Sequence, residues 1–412
     1  MYDFANSVYT TVVITAVFNA YFVAEVAGNA SWATFAWTCA LSVSYLAIIV
    51  TAPFIGAYAD AHANKKKLLA VTTAGCVVCT AALALVGPGE LWLAVALIVL
   101  SNYFFGTGEN LVAAFLPEIA FEEAMGKVSG WGWALGYCGG LVALGLCLAY
   151  VGSAQARGLP AAHFVPVTML ITAALFAAAS APTFIFLRDR AKASGPDGVT
   201  RTAASRLRET LRNAARYADL RRFLVCVVFY QAGIQAVVAL AAIYAQQAMG
   251  FSTRDTILLI LVVNVTAALG AFAFGHVQDR LGHVPTLALT MLGWIAAVLL
   301  AYFAQGPGLF WLAANLVGVS LGSSQSAGRA LVGYLSPPSR AAEFFGLWGL
   351  AVKLSAVLGP LTYGFVTWFS NGDHRLAILL TGSYFLIGLA LVSGVNVRRG
   401  RIAALAGVAR AP

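Results

Sequence analysis

Lys353 is a lone cation inside the apolar run 344–369, about nine residues from its start and, at about 1.5 Å per residue, near the middle of a membrane-spanning helix. An ionisable side chain at that depth costs at least about 2.5 kcal/mol on insertion scales, so each one is a functional hypothesis by default. No acid shares the run with Lys353, and its counter-ion must come from elsewhere: the carboxylate of a bound solute, or a structural partner such as Glu109. Glu109 and Asn110 lie together in a second apolar run. Arg329 occupies nearly the same point of a third, 220 residues after Glu109. Opposed across two halves of a molecule, Glu109 and Arg329 would form an ion pair that opens when a solute or a proton neutralises the acid. The plainer alternatives are a static pair, or two side chains snorkelling to the interface.

Uncharged polar groups accompany these charges. Asp3, Asn6, Ser7, Thr10 and Thr11 follow the spacing of one helical face, and a polar stripe in a spanning helix should face a cavity. Asp3 is either a proton or solute ligand, or a solvated start whose charge favours the helix dipole. Gln231 and Gln235 stand one turn apart, and Asn315, Ser323 and Gln325 add polarity to a later run. Such groups can hydrogen-bond a zwitterion, or join helices to one another. Gly132, Gly136 and Gly140 recur every four residues, a packing pattern that lets a neighbouring backbone approach.

Other chemistries find no support. His62, His163, His276, His283 and His374 form no metal-binding pattern with each other or with cysteine. Cys76-Val-Val-Cys79 has redox spacing but sits inside an apolar run, and all six cysteines read as packing residues. No complete dinucleotide fingerprint and no Gly-xxxx-Gly-Lys-Ser/Thr phosphate loop is present, so no cofactor is expected and any work comes from a gradient or from the solute itself.

The elements that position these residues are transmembrane helices. Hydrophobic residues make up 60% of the chain and charged residues 10%, against about 45–50% and about 25% for a soluble domain. Apolar runs bounded by Gly, Pro and charge predict twelve spans, near 4–27, 35–59, 67–87, 91–116, 128–152, 164–187, 222–249, 254–277, 284–304, 309–332, 344–369 and 375–397. With both termini inside, twenty of the 25 Lys and Arg fall on the cytoplasmic side and only Arg157, Arg254 and Arg375 on the other. That placement explains the net charge of +9 without a nucleic acid. Met1-Tyr2-Asp3 lacks the basic start of a signal peptide and reads as the opening of the first span. Asn29-Ala30-Ser31 matches a glycosylation sequon on a loop expected outside.

The expected division is a six-helix bundle over 1–187, a basic cytoplasmic linker over 188–221, a second six-helix bundle over 222–400 and a cytoplasmic tail over 401–412. Arg201–Arg222 carries Leu207, Leu211, Ala214 and Ala218 at helical spacing. It is either an amphipathic helix on the anionic leaflet or a solvated linker held inside by its charge. The halves look like one module written twice. Gly56-xxx-Asp60 and Gly275-xxx-Asp279-Arg280 close equivalent spans 219 residues apart, Phe115-Leu116-Pro117 matches Tyr334-Leu335-Ser336, and Trp131-Gly132 is paired with Trp348-Gly349. Gly56 and Gly275 should let spans two and eight pass close to spans eleven and five. Asp60 and Asp279 should then approach the positive starts of those helices, as latches.

These features resemble the major facilitator superfamily and its loop motif after spans two and eight. Tyr2-Asp3-Phe4-Ala5-Asn6-Ser7, Phe115-Leu116-Pro117-Glu118-Ile119, Val128-Ser129-Gly130-Trp131-Gly132-Trp133 and Phe344-Phe345-Gly346-Leu347-Trp348-Gly349 are similar to bacterial relatives of the vacuolar amino-acid effluxer permeases. His62 departs from the basic residue usual soon after Asp60, and the short segment that such proteins carry before Tyr-Asp is not present in this sequence. The resemblance implies an all-α membrane protein of the 6+6 type, a secondary active transporter in which two bundles alternate access to a midplane site. By analogy it exports amino acids or similar small carboxylate-bearing solutes, with or without proton coupling, as a monomer in a bacterial inner membrane. Lys353, Glu109, Asn110, Asp3, Asn6, Gln231, Gln235 and Gln325 are the expected binding or coupling residues. Arg329, Gly56, Asp60, Gly275, Asp279 and Arg280 are the expected gate. The alternatives are a transporter of the same fold for a drug, sugar or metabolite, and a non-transporting receptor or scaffold docking partners through Arg201–Arg222.

Overall fold

In a bilayer every backbone N–H and C=O must be satisfied within the protein, which restricts long apolar runs to helices. The computed structural model describes residues 1–28, 30, 32–188, 217–247, 249–251, 253–371 and 373–406, and these contain helices and turns with no strand. Twelve long helical segments follow one another: α1 (Tyr2–Val26), α2 (Ala33–His62), α3 (Lys65–Ala82), α4 (Leu91–Ala113), α5 (Met125–Ala156), α6 (Ala161–Phe186), α7 (Ala218–Gln247), α8 (Thr253–Leu281), α9 (His283–Phe303), α10 (Pro307–Leu335), α11 (Ala341–Phe369) and α12 (His374–Ser393). A short helix, α13 (Val397–Ala406), follows the last span. The linker expectation over Arg201–Arg222 lies largely outside the described residues, as do Asn29 and Ser31 of the sequon; Ala218 already belongs to α7.

Eleven of the twelve are long and apolar enough to cross a membrane by composition alone. The exception is α10, where Ser320, Ser323, Ser324, Gln325, Ser326 and Arg329 dilute the apolar residues. Its serines and Arg329 are buried, so the polarity of α10 is turned into protein.

The first span departs from a regular 3.6-residue helix. Thr10–Ala16 and Phe22–Val26 are wide π turns flanking a short α segment, Phe18–Tyr21. The Thr10 hydroxyl donates to the Asn6 and Ser7 carbonyls at 3.3 Å, and the Thr15 hydroxyl donates to the Thr10 carbonyl at 3.0 Å. Hydroxyls that take up carbonyls released from the regular ladder are a physical cause of the widening. The polar stripe therefore holds its helical phase only as far as Tyr9.

The chain divides into two compact units that do not follow the order of the sequence. The first is Met1–Thr51, Asn64–Val112 and Leu135–Arg190; the second is Ala52–Ala63, Ala113–Ala134 and Ala191–Pro412. In the first unit, aromatic residues of α1 (Tyr9, Phe18, Phe22) pack with Trp37, Phe105, Met169 and Phe176. Side-chain hydrogen bonds tie α1 to its neighbours, Tyr2 to Thr73 at 2.6 Å and Tyr9 to Ser101 at 2.8 Å. Gly136, Gly139 and Gly140 of α5 meet Asp3, Phe4, Ser7 and Thr11 of α1. The second unit holds α7 to α13 together with the end of α2 and the start of α5. There Trp294 stacks on Phe385 at 5.0 Å, and the Ser355 hydroxyl donates to the Val228 carbonyl at 2.9 Å.

Close helix contact in this unit depends on bare backbone. A Cβ on Gly322 would collide with the Ala267 carbonyl, whereas one on Gly145 of α5 would meet nothing within 4 Å. Gly322→Val should therefore lower the thermal midpoint of the purified protein by the equivalent of about 1–3 kcal/mol, the usual cost of overpacking. Gly145→Val should leave it unchanged. Equal midpoints for the two variants would contradict this packing.

Candidate functional site

Two segments from the N-terminal half of the chain, 52–63 and 113–134, are built into the second unit, and a carboxylate fixes each junction. Asp60, near the end of α2, accepts the N–H groups of Ala342 and Glu343 at 3.3 and 2.9 Å. Asp279, near the end of α8, accepts those of Gly126 and Lys127, both at 2.9 Å. These are first-turn amides of α11 and α5, which have no partner within their own helices. A carboxylate there gains two charge-assisted hydrogen bonds and the favourable end of the helix dipole.

The approach is possible because the facing residues lack side chains. A Cβ on Gly56 would run into the Ala342 carbonyl, and one on Gly275 would lie 2.8 Å from the Gly126 oxygen. From the opposite side, a Cβ on Gly346 would sit 2.7 Å from the Ala52 oxygen, and one on Gly130 2.5 Å from the Ala271 oxygen. The two junctions are thus copies. Ala52, Gly56 and Asp60 stand to Ala342, Glu343 and Gly346 as Ala271, Gly275 and Asp279 stand to Gly126, Lys127 and Gly130. This correspondence corrects one sequence pairing, because matching Gly130 with Gly346 sets Trp131 against Leu347 rather than Trp348.

The copies differ in charge. Glu343 is almost fully buried and is bound by Arg340 through two hydrogen bonds of 2.7 and 2.6 Å, whereas its counterpart Lys127 lies 5.0 Å from the ring of Trp131. Arg280, in the last turn of α8, is exposed and complements the negative end of that helix.

Arg329 is buried near the end of α10. Its Nε donates to the Ser129 hydroxyl at 3.1 Å and a terminal nitrogen donates to the Ser129 carbonyl at 2.8 Å, while the guanidinium lies 5.5 Å from the Trp133 ring. The Ser129 hydroxyl in turn donates to the Ser326 carbonyl at 2.8 Å. Within the second unit Arg329 therefore binds α10 to the start of α5.

Deeper in the same unit, Gln231 of α7 donates to Gln325 of α10 at 2.7 Å. Gln235 lies one turn further along α7 and is half-buried. Lys353, 9% exposed, sits twelve residues into α11, about 18 Å from its start at 1.5 Å per residue. In the first unit, Asp3 opens α1 and Glu109 is half-buried in α4. Asn6 Oδ1 and Asn110 Nδ2 are buried polar atoms with no hydrogen-bond partner among the described residues, the condition expected of groups awaiting water or a ligand.

Several contributors were not singled out from the sequence. Ser129 and Trp133 are 200 and 196 residues from Arg329, and no local pattern links them. Glu343 had a usable signal, its place opposite Lys127 in the repeat.

Residues 19–125 and 121–405 match the family described as Vacuole effluxer Atg22 like. The chain belongs to this family. It is a membrane transporter of the major facilitator type. It is 28% identical over 403 residues to the uncharacterized MFS-type transporter YxiO of Bacillus subtilis, covering 96% of this chain and 93% of that protein. Autophagy-related protein 22 of Candida glabrata is 25% identical over 206 residues, which span 47% of this chain and 38% of the yeast protein. Among solved structures, the proton:xylose symporter XylE superposes with a TM-score of 0.74 at 14% identity over 99% of this chain and 97% of that one. The human organic anion transporter MFSD10 does so with a TM-score of 0.73 at 14% identity, over 95% and 97%. At these identities the superpositions establish the fold alone.

If the Asp60 carboxylate holds the first turn of α11 in this Atg22-like protein, Asp60→Asn removes a charged acceptor. Hydrogen–deuterium exchange at Ala342 and Glu343 should then rise about tenfold, equivalent to about 1.4 kcal/mol. Exchange at Gly126 and Lys127 should stay as it was. Unchanged exchange at Ala342 and Glu343 would show that Asp60 is not their protecting partner.

Proposed function

We propose that this Atg22-like transporter moves amino acids, or similar small solutes bearing a carboxylate, out of the cytoplasm by alternating access. The observation that carries this reading is Lys353, a buried cation at mid-depth of the spanning helix α11. A cation at that depth is a functional hypothesis by default, and a solute carboxylate is a chemically suited counter-charge for it. Gln231, Gln235 and Gln325 on α7 and α10 offer neutral donors and acceptors for the rest of a zwitterion. In the first unit, taken by itself, Asn6 Oδ1 on α1 and Asn110 Nδ2 on α4 are candidate solute contacts.

In this account Glu109, with Asp3 on α1, receives the ammonium group or a proton. The gate comprises Arg329, Gly56, Asp60, Gly275, Asp279 and Arg280 at the end of the molecule assigned to the cytoplasm. Segments 52–63 and 113–134 must leave α11 and α8 for the chain halves to part there. Two carboxylates on helix starts suit that task, since their bonds form and break as units. The assignment of the basic connections inward places both termini in the cytoplasm, in a bacterial plasma membrane. The bundles over 1–187 and 222–400, joined by the 188–221 linker, are the bodies that move, and the protein acts as a monomer.

Purified protein in liposomes preloaded with an unlabelled neutral amino acid should accumulate the labelled form by counterflow. Lys353→Ala should reduce that flux at least about tenfold, the effect of losing about 1.4 kcal/mol of a charge-assisted contact, while Lys353→Arg retains part of it. Equal flux in Lys353→Ala would remove Lys353 from the site. Counterflow of a sugar or drug, with no amino acid carried, would favour the alternative solute class.

A further inference from the structure

α13 is held across the second unit more firmly than a terminal tail needs. Its first turn is fixed by Asp219, at the start of α7. That carboxylate accepts the Asn396 N–H at 2.9 Å and two guanidinium bonds from Arg399, both at 2.7 Å. The turn leading into α13 is held by Arg222, which donates to the Gly394 carbonyl at 2.6 Å. Gly400 brings the helix against the last turn of α10, where a Cβ would lie 2.6 Å from Leu335 and 3.1 Å from Asp219. Gly400 and Ala404 form the buried face, and Arg398, Ile402 and Leu405 point away.

This docking aims Arg401. One terminal nitrogen donates to the Tyr334 carbonyl at 3.0 Å, one of the α10 carbonyls left open at a helix end, and the guanidinium lies 5.1 Å from the Tyr334 ring. The remaining fork is bidentate on one oxygen of Glu122, with Nε at 3.1 Å and the second terminal nitrogen in a short contact. Glu122 lies in the connection between α4 and α5, inside the N-terminal half of the chain and four residues before the amide that Asp279 holds. The Arg401 side chain is 12% exposed and that of Glu122 43%, so the pair is shielded from water on the arginine side only.

We infer that α13 is a third latch, in which Arg401 ties the α4–α5 connection to the end of α10, and Asp219 and Arg399 are positioning residues that hold α13 in place to do so. Opening of this end must therefore break Arg401–Glu122 as well as the Asp279 bonds. Removing either charge biases the protein toward the opened state.

The inference rests on the alternating-access reading, and its test uses a readout that needs no substrate. In the full-length chain with its six cysteines replaced, a single cysteine at Ser336, buried beside Tyr334, is labelled with a membrane-impermeant maleimide in lipid nanodiscs. Arg401→Gln and Glu122→Gln should each raise the labelling rate about three- to tenfold, the range for losing a partly buried charge-assisted pair. The double variant should label no faster than the faster single one. Arg399→Gln should raise the rate too, and Arg398→Gln on the outward face should not. Unchanged rates in both Arg401→Gln and Glu122→Gln, or rates that multiply in the double variant, would overturn the latch. Loss of amino-acid counterflow with the labelling pattern intact would count against the solute assignment alone.

Discussion

Two carboxylates, Asp60 and Asp279, each hold a pair of backbone N–H groups at the start of another helix, and the rest of the second unit is arranged so that they can reach them. A side chain at Gly56 or Gly275 would push the helices apart, and one at Gly130 or Gly346 would do the same from the other side. Two glycines and one aspartate form one device, used twice. Its energy is modest, on the order of one to three kcal/mol per charge-assisted bond.

Charge distinguishes the two copies and decides what else gathers around them. Glu343 beside Asp60 brings a second buried acid to one junction and requires Arg340. At the other, Lys127 supplies a cation instead, and Arg329 stabilises the adjoining turn of α5 through Ser129. Arg401 then adds a link to Glu122 from α13. Basic residues therefore do two jobs in this protein. Those in the connections are the ones expected to set orientation in the membrane, and a few become structural where a carboxylate or an open helix end meets them.

The twelve helices, the duplication and the junction residues were legible because each depends on local pattern. Apolar runs of about 20 residues admit little but a spanning helix, and the repeated Gly-xxx-Asp was visible at a fixed separation. α10 was legible as a span from its apolar run over 309–332, although its serines, Gln325 and Arg329 lower its apolar content. The π turns of α1 were not legible, because a helical stripe presupposes the 3.6-residue period that Thr10 and Thr15 disturb. Ser129 and Trp133 around Arg329, and Glu122 facing Arg401, were hidden for a different reason. They are common residues joined over 196 to 279 positions, and only packing brings them together. The register of the repeat within α5 and α11 also needed geometry, since two tryptophans offered a tempting match one residue out of step.

The most direct test of the junctions as a gate is the distance between spin labels at Tyr58 and Leu281, exposed positions near the ends of α2 and α8, measured by pulsed electron resonance in lipid nanodiscs. The parent protein should show one dominant distance. Asp60→Asn combined with Asp279→Asn should add a longer component, because both helix starts lose their charged acceptors. A single, unshifted distance in the double variant would contradict the account, since it would mean that the carboxylates do not hold this end together.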